Sequence, residues 1–124
     1  MKKERAVGQR GRKKPKRLGE KLLEIRFKLE VSQSQLAKLL EFDKGVARIS
    51  EYERGNREPD LTTLLKYSEL ARVSMNVLAD DTRELKFPEN WKRPKRVTDL
   101  LLQQRRVRVQ NRIDDLRRQL SHSL

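Results

Sequence analysis

The sequence predicts an all-α fold, a five-helix domain preceded by a basic arm and followed by one further helix, and three observations carry that expectation. Apolar residues recur at the 3.6-residue period of a helix rather than in the alternation of a strand. Small polar residues suited to capping stand just before several of the apolar runs. Charge is segregated along the chain: residues 1–17 hold nine Lys or Arg and one Glu, residues 18–82 ten basic and twelve acidic side chains, and residues 83–124 twelve and five. The near-neutral centre is therefore the expected domain, and its flanks are the cationic parts.

Residues 1–17 have almost no apolar side chains to offset the entropy of ordering, and read as a flexible basic arm that either solubilises the chain or lies along phosphates. Leu18, Leu22, Ile25 and Leu29 are spaced four, three and four apart, which puts them on one face of a first helix. Ser32 and Gln35 form the pattern of a capping box, with Val31 placed to staple onto Leu36, so a second helix starts there and ends near Glu41. Asp43 is the expected N-cap of a third helix over about 44–53, which Gly55 terminates. Asp60 and Ser74 are the expected caps of a fourth and a fifth helix. Residues 83–97, with Phe87, Pro88, Trp91 and Pro94, read as a linker. Beyond it Leu102, Val109, Ile113, Leu116 and Leu120 follow heptad-like spacings with Arg106 in the seam, which predicts a helix from Thr98 to about Leu120, about 35 Å long.

Composition narrows the function. A net charge of +13 over 124 residues points to a polyanionic partner, nucleic acid first. Hydrophobic residues make up 35% and charged residues 40%, which argues against a large core holding a deep substrate cavity. The absence of cysteine removes disulfides, thiolate zinc sites and cysteine nucleophiles. The single histidine, His122, lies at the chain end, where burial beside two triad partners is hard to achieve. Asp80-Asp81 and Asp114-Asp115 are adjacent pairs whose side chains diverge by about 100° on a helix. No catalytic residue, metal site or cofactor is therefore expected, and the chain reads as a non-enzyme. No run approaches the ~20 apolar residues of a membrane span, and no apolar segment follows the charged N-terminus, so no membrane association and a cytoplasmic residence are expected.

The run SQSQLAKLL, followed by RISEYERGNREPDLTTLLKYSELARVSMNVL, resembles the phage-repressor (Cro/cI-like, or Xre) helix-turn-helix family across about half of the chain. The resemblance implies a five-helix repressor-like domain at 18–82, in which the second and third helices form the helix-turn-helix and the third enters the major groove. Three positions depart from the family pattern. Glu41 stands where the family has Gly, Arg72 where it often has a helix-ending Gly, and the stretch from Ala37 to Ser50 is two residues longer than usual.

By that resemblance the base-reading candidates are Lys44, Val46, Ala47, Arg48 and Glu51. Val46 and Ala47 suit thymine methyls, Arg48 guanine O6 and N7, and Glu51 cytosine N4. The bland alternative turns Val46 inward and puts Arg48 on a phosphate. Gln33 matches a phosphate-binding position of the family, and Arg54, Asn56 and Arg57 are further phosphate-contact candidates. Arg26 and Glu53 occupy the family's paired positions for a structural ion pair between the first and third helices.

The expected function is a sequence-specific, double-stranded DNA-binding transcriptional regulator acting as a homodimer on half-sites about one helical turn, ~34 Å, apart, with its basic flanks on phosphates. Residues 98–124 offer a dimerisation or partner-binding element. Two alternatives stay open. One is an antitoxin-type autorepressor with a protein partner. The other is a general RNA-binding or ribosome-associated basic protein whose helical unit is a scaffold.

Overall fold

In the computed structural model of the chain, residues 15–42 and 45–123 are described, and they form six helices with no other regular structure among them. These are α1 (Leu18–Leu29), α2 (Gln33–Leu39), α3 (Val46–Glu53), α4 (Leu61–Ala71), α5 (Met75–Ala79) and α6 (Lys95–Ser123). The chain divides into a unit ending at Asn90, which contains α1 to α5, and a unit from Trp91 onward that contains α6.

The core of the first unit follows from the periodic residues. Leu18, Leu22, Ile25 and Leu29 of α1 are buried together with Leu36 and Leu39 of α2, Ile49 and Tyr52 of α3, Leu64, Tyr67 and Leu70 of α4, and Leu78 of α5. Three of the starts are set by side-chain caps. Ser32 Oγ accepts from the Gln35 amide at 3.1 Å while Gln35 Oε1 accepts from the Ser32 amide at 2.8 Å. Asp60 accepts from the Thr63 amide at 2.8 Å, and Ser74 from the Val77 amide at 3.3 Å.

The stops share one geometry. Each of α1 to α4 is followed within two residues by one with positive φ: Glu30 at 60°, Glu41 at 53°, Gly55 at 77° and Arg72 at 58°. Backbone bonds that reach back to the last turn close these ends, as in Phe42 N–H to Ala37 O at 2.9 Å and Asn56 N–H to Glu51 O at 2.9 Å. Glu41 and Arg72 thus hold the left-handed conformation that glycine holds in the related pattern. Two lysines close helix ends from outside. Lys66 Nζ donates to Leu40 O at 2.9 Å. Lys21, 1% exposed, donates to Val77 O at 2.6 Å and to Asp80 O at 2.9 Å.

Three sequence expectations need correction. Asp43 is not the cap of α3: the helix begins at Val46 with Gly45 before it, and Asp43 and Lys44 lie outside the described residues. Gly45 has φ 88° and ψ 177°, a region that is essentially restricted to glycine. The basic arm does not run free to residue 17. The Lys16 and Arg17 amides donate to the Asp81 carboxylate at 2.8 and 3.0 Å, and the Arg17 guanidinium forks onto Glu84 at 3.2 and 3.1 Å. Residues 1–14, the bulk of that arm, lie outside the described residues. Finally, α6 starts at Lys95 rather than Thr98, because the Pro94 carbonyl already accepts from Val97 and Thr98, and it continues to Ser123. Its 29 residues make it about 43 Å long.

Candidate nucleic-acid interface

The surface around α3 is built by what buries the other side of that helix. Ile49 and Tyr52 turn inward and Glu53 is held at its base, so Ala47, Ser50, Glu51 and Arg54 fall away from the core at 100° steps, while Val46, about 60° from Ile49, lies at the border in the first turn. Val46 and Ala47 are exposed, and Ser50 and Glu51 are half-buried. Val46 is therefore not a core residue. Ser50 also stands on this face, although it is not among the base-reading candidates. Its signal was available, since it lies four residues after Val46 and four before Arg54.

The bend between α2 and α3 is fixed by packing and backbone conformation. Phe42, just after the left-handed Glu41, sets its ring 6.0 Å from that of Tyr52. At the far end of α3, Gly19 of α1 gives the close approach that seats the helix. A Cβ there would come within 2.7 Å of Tyr52 O and 2.9 Å of Glu53 O.

Orientation of α3 rests on a polar cluster at its base. Arg26 Nε lies 2.6 Å from Glu53 Oε2 and its Nη2 3.0 Å from Oε1, with the two side chains 15% and 5% exposed. Arg26 also donates to Val31 O at 3.3 Å, and Gln33 Nε2 donates to Glu53 Oε1 at 3.0 Å. The Glu53 carboxylate thus collects donors from α1 and α2, and the Gln33 amide, a phosphate-contact candidate, spends one of its N–H groups inside the domain. Beside this cluster the Tyr67 hydroxyl is buried with no hydrogen-bond partner among the described residues, and burial pushes its pKa well above the ordinary value, with the Glu53 charge adding to the effect.

Charged residues at the rim of the face are organised by Glu51. Its Oε1 lies 3.3 Å from Arg48 Nε and 3.3 Å from Arg57 Nε. Arg48 also hydrogen-bonds the Tyr52 hydroxyl, whose pKa burial nonetheless raises. Arg48 therefore leans toward the buried side of α3 rather than out from its centre. Arg54 and Asn56 are exposed, with no side-chain partner among the described residues, where the turn through Gly55 leaves the helix axis. Ala47, Glu51 and Arg54 thus share the face away from the core, with Val46 and Arg48 at its two borders and Asn56 and Arg57 in the turn beyond α3. Gln33 sits at the start of α2, tied to the base of α3, and Lys44 lies outside the described residues.

A helix with a small, partly exposed face of mixed apolar and polar side chains, bordered by arginines, has the chemistry that base edges in a duplex major groove accept. Comparison with known proteins bears on the same segment. A helix-turn-helix family profile matches residues 22–78. The HTH-type transcriptional regulator ImmR of Bacillus subtilis (strain 168) is 43% identical over 61 residues, which are 49% of this chain and 46% of that protein. The chain therefore spans less than half the length of this relative. No solved structure matches the chain at a significant level. Residues 22–78 are thus similar to the helix-turn-helix family, and the run SQSQLAKLL followed by RISEYERGNREP resembles its phage-repressor (Xre) type.

Proposed function

We propose that the chain is a sequence-specific, double-stranded DNA-binding transcriptional regulator that inserts α3 into the major groove. The observation that carries this reading is the uncovered face of α3, short and polar at its centre and held rigidly from behind by Arg26, Glu53 and Gln33. Val46 and Ala47 meet thymine methyls, and Ser50 and Glu51 supply hydrogen-bonding groups to base edges. Lys44, two residues before the helix in sequence, is the remaining base-reading candidate and lies outside the described residues. Arg48 reaches a guanine edge or the adjoining phosphate from the rim. Arg54, Asn56 and Arg57 hold the sugar-phosphate ridge past the end of α3, with Gln33 on the opposite ridge.

A helix of this length reads only a few base pairs, so two copies bind one two-fold site. The basic segments flanking the near-neutral helical domain add phosphate contacts to its own, and residues 98–124 take a protein partner. Cytoplasmic residence follows from the same reading. The test is selection of duplexes from a random library by the full chain, then footprinting of the selected sequence. A two-fold symmetric consensus protected over two half-sites is expected. Recovery of unrelated sequences with equal affinity would overturn the regulator reading and leave a general nucleic-acid binder.

A further inference from the structure

α6 leaves Leu102, Val109, Ile113, Leu116 and Leu120 exposed, from 37% at Ile113 to 66% at Leu120. With Arg106 they occupy a stripe about 80° wide along one side of the helix. Arg105 and Arg112 border the stripe on one side and Arg117 on the other. None of these four arginines has an acidic partner among the described residues. The three aspartates of α6 are engaged elsewhere: Asp99 by Lys95 at 2.9 Å, Asp114 by Gln110 at 3.0 Å and Asp115 by Arg118. Eight Lys or Arg against three Asp leave the helix strongly cationic.

A helix that holds five large apolar side chains in water beside unneutralised arginines lacks its cover. A second α6 is a poor one. Parallel pairing would set Arg106 on Arg106 within the seam, and antiparallel pairing that keeps the apolar layers in register would set Arg112 against Arg112. A nucleic acid would satisfy the arginines and leave the leucines wet. We propose that α6 is the docking surface for an amphipathic helix of a partner protein, apolar along its centre and acidic along both borders, with a carboxylate facing Arg106. This names the chemistry of the partner already assigned to residues 98–124 and does not depend on how α3 meets DNA.

The probe is a synthetic three-heptad peptide with Leu in the seam, Glu on both borders and one Glu in the seam, titrated into the full chain and followed by fluorescence anisotropy and sedimentation velocity. A one-to-one complex is expected. It should weaken about tenfold or more in Ile113→Asp and in the double variant Arg105→Glu, Arg112→Glu, with helix content by circular dichroism unchanged. A twin peptide bordered by Lys should not bind. Three results would each overturn the proposal: no complex at roughly 0.1 mM peptide, equal binding of a Glu-bordered peptide with Ser in its seam, or a dimer of the chain alone that Ile113→Asp abolishes. Duplex binding, measured separately on the same variants, reports on the DNA reading alone.

Discussion

Glu53 on α3 and Arg26 on α1 meet through two hydrogen bonds, of 2.6 and 3.0 Å, at a site where the carboxylate is 5% exposed. A pair so desolvated stabilises little over an apolar pair of the same size, but either partner left alone is costly. Glu53→Ala should therefore destabilise the domain by about 3 kcal/mol in urea unfolding. A loss below about 0.5 kcal/mol would put the pair in the class of solvated surface bridges and remove it as the support of α3.

Gly19 tests the same support from the backbone side. A methyl group there would meet two main-chain oxygens of the last turn of α3 below 3.0 Å, and neither is the movable end of a side chain. Gly19→Ala should cost about 1 to 3 kcal/mol, although alanine is the better helix former. Duplex affinity should fall with it, since α3 must shift to make room. An unchanged unfolding midpoint would mean that α1 and α3 are not seated this closely.

Much of this architecture was legible in the sequence because it is local. Ser32, Asp60 and Ser74 act on amides three residues away, so a cap and its helix are written in one short stretch. The details that escaped are settled by tertiary contact. Gly45 replaces Asp43 before α3 without offering any side-chain acceptor. Lys21 sits in the core because its ammonium closes the end of α5, which no hydrophobic pattern reveals. The bridge from Glu51 to Arg57 crosses the Gly55 turn, so helical spacing within α3 could supply Arg48 as a neighbour but not Arg57.

Glu41 and Arg72 show a second kind of gap, in which the expected glycine is missing but its conformation is kept. Both are exposed and sit in the left-handed region, at φ 53° and 58°. A side chain there is strained by about 1 kcal/mol, and glycine removes that strain while adding freedom to the unfolded chain. Glu41→Gly and Arg72→Gly should each stabilise by about 0.5 kcal/mol, and Gly55→Ala at φ 77° should destabilise by about 1 kcal/mol. Thermal melts of the three variants check this, and a destabilised Glu41→Gly would show that its side chain contributes more than its backbone costs.

Acid should loosen the contact between residues 16–17 and the segment after α5. The Arg17 and Lys16 amides hold the Asp81 carboxyl below its ordinary 3.8, hydrogen bonds from Thr82 do the same for Asp80, and the Arg17 guanidinium holds Glu84 below its ordinary 4.5. Because these groups bind protons more weakly folded than unfolded, their contribution is complete above about pH 4.5 and is lost as pH falls through and below 3.8. The melting temperature should therefore bend downward in that window. Asp81→Asn should lower the melting temperature at neutral pH and flatten the bend. A variant as acid-sensitive as the parent chain would place the titrating groups elsewhere.

Glu51 ties up the charge at the rim of the α3 face. One of its oxygens neutralises Arg48 and Arg57 together, so the rim of the face carries less free positive charge than its composition suggests. Glu51→Gln releases both guanidinium groups to phosphates and removes a carboxylate on this face that repels them. Affinity for any duplex should rise at low salt, and the dependence of log K on log salt should steepen by about one to two units as more counterions are displaced. Discrimination between the selected sequence and a random duplex should shrink, because the added contacts carry no sequence information and an acceptor for a cytosine amino group is gone. Binding isotherms on both duplexes at several salt concentrations separate these effects. A uniform loss of affinity with an unchanged slope would mean that Glu51 serves only to hold Arg48 and Arg57 in place.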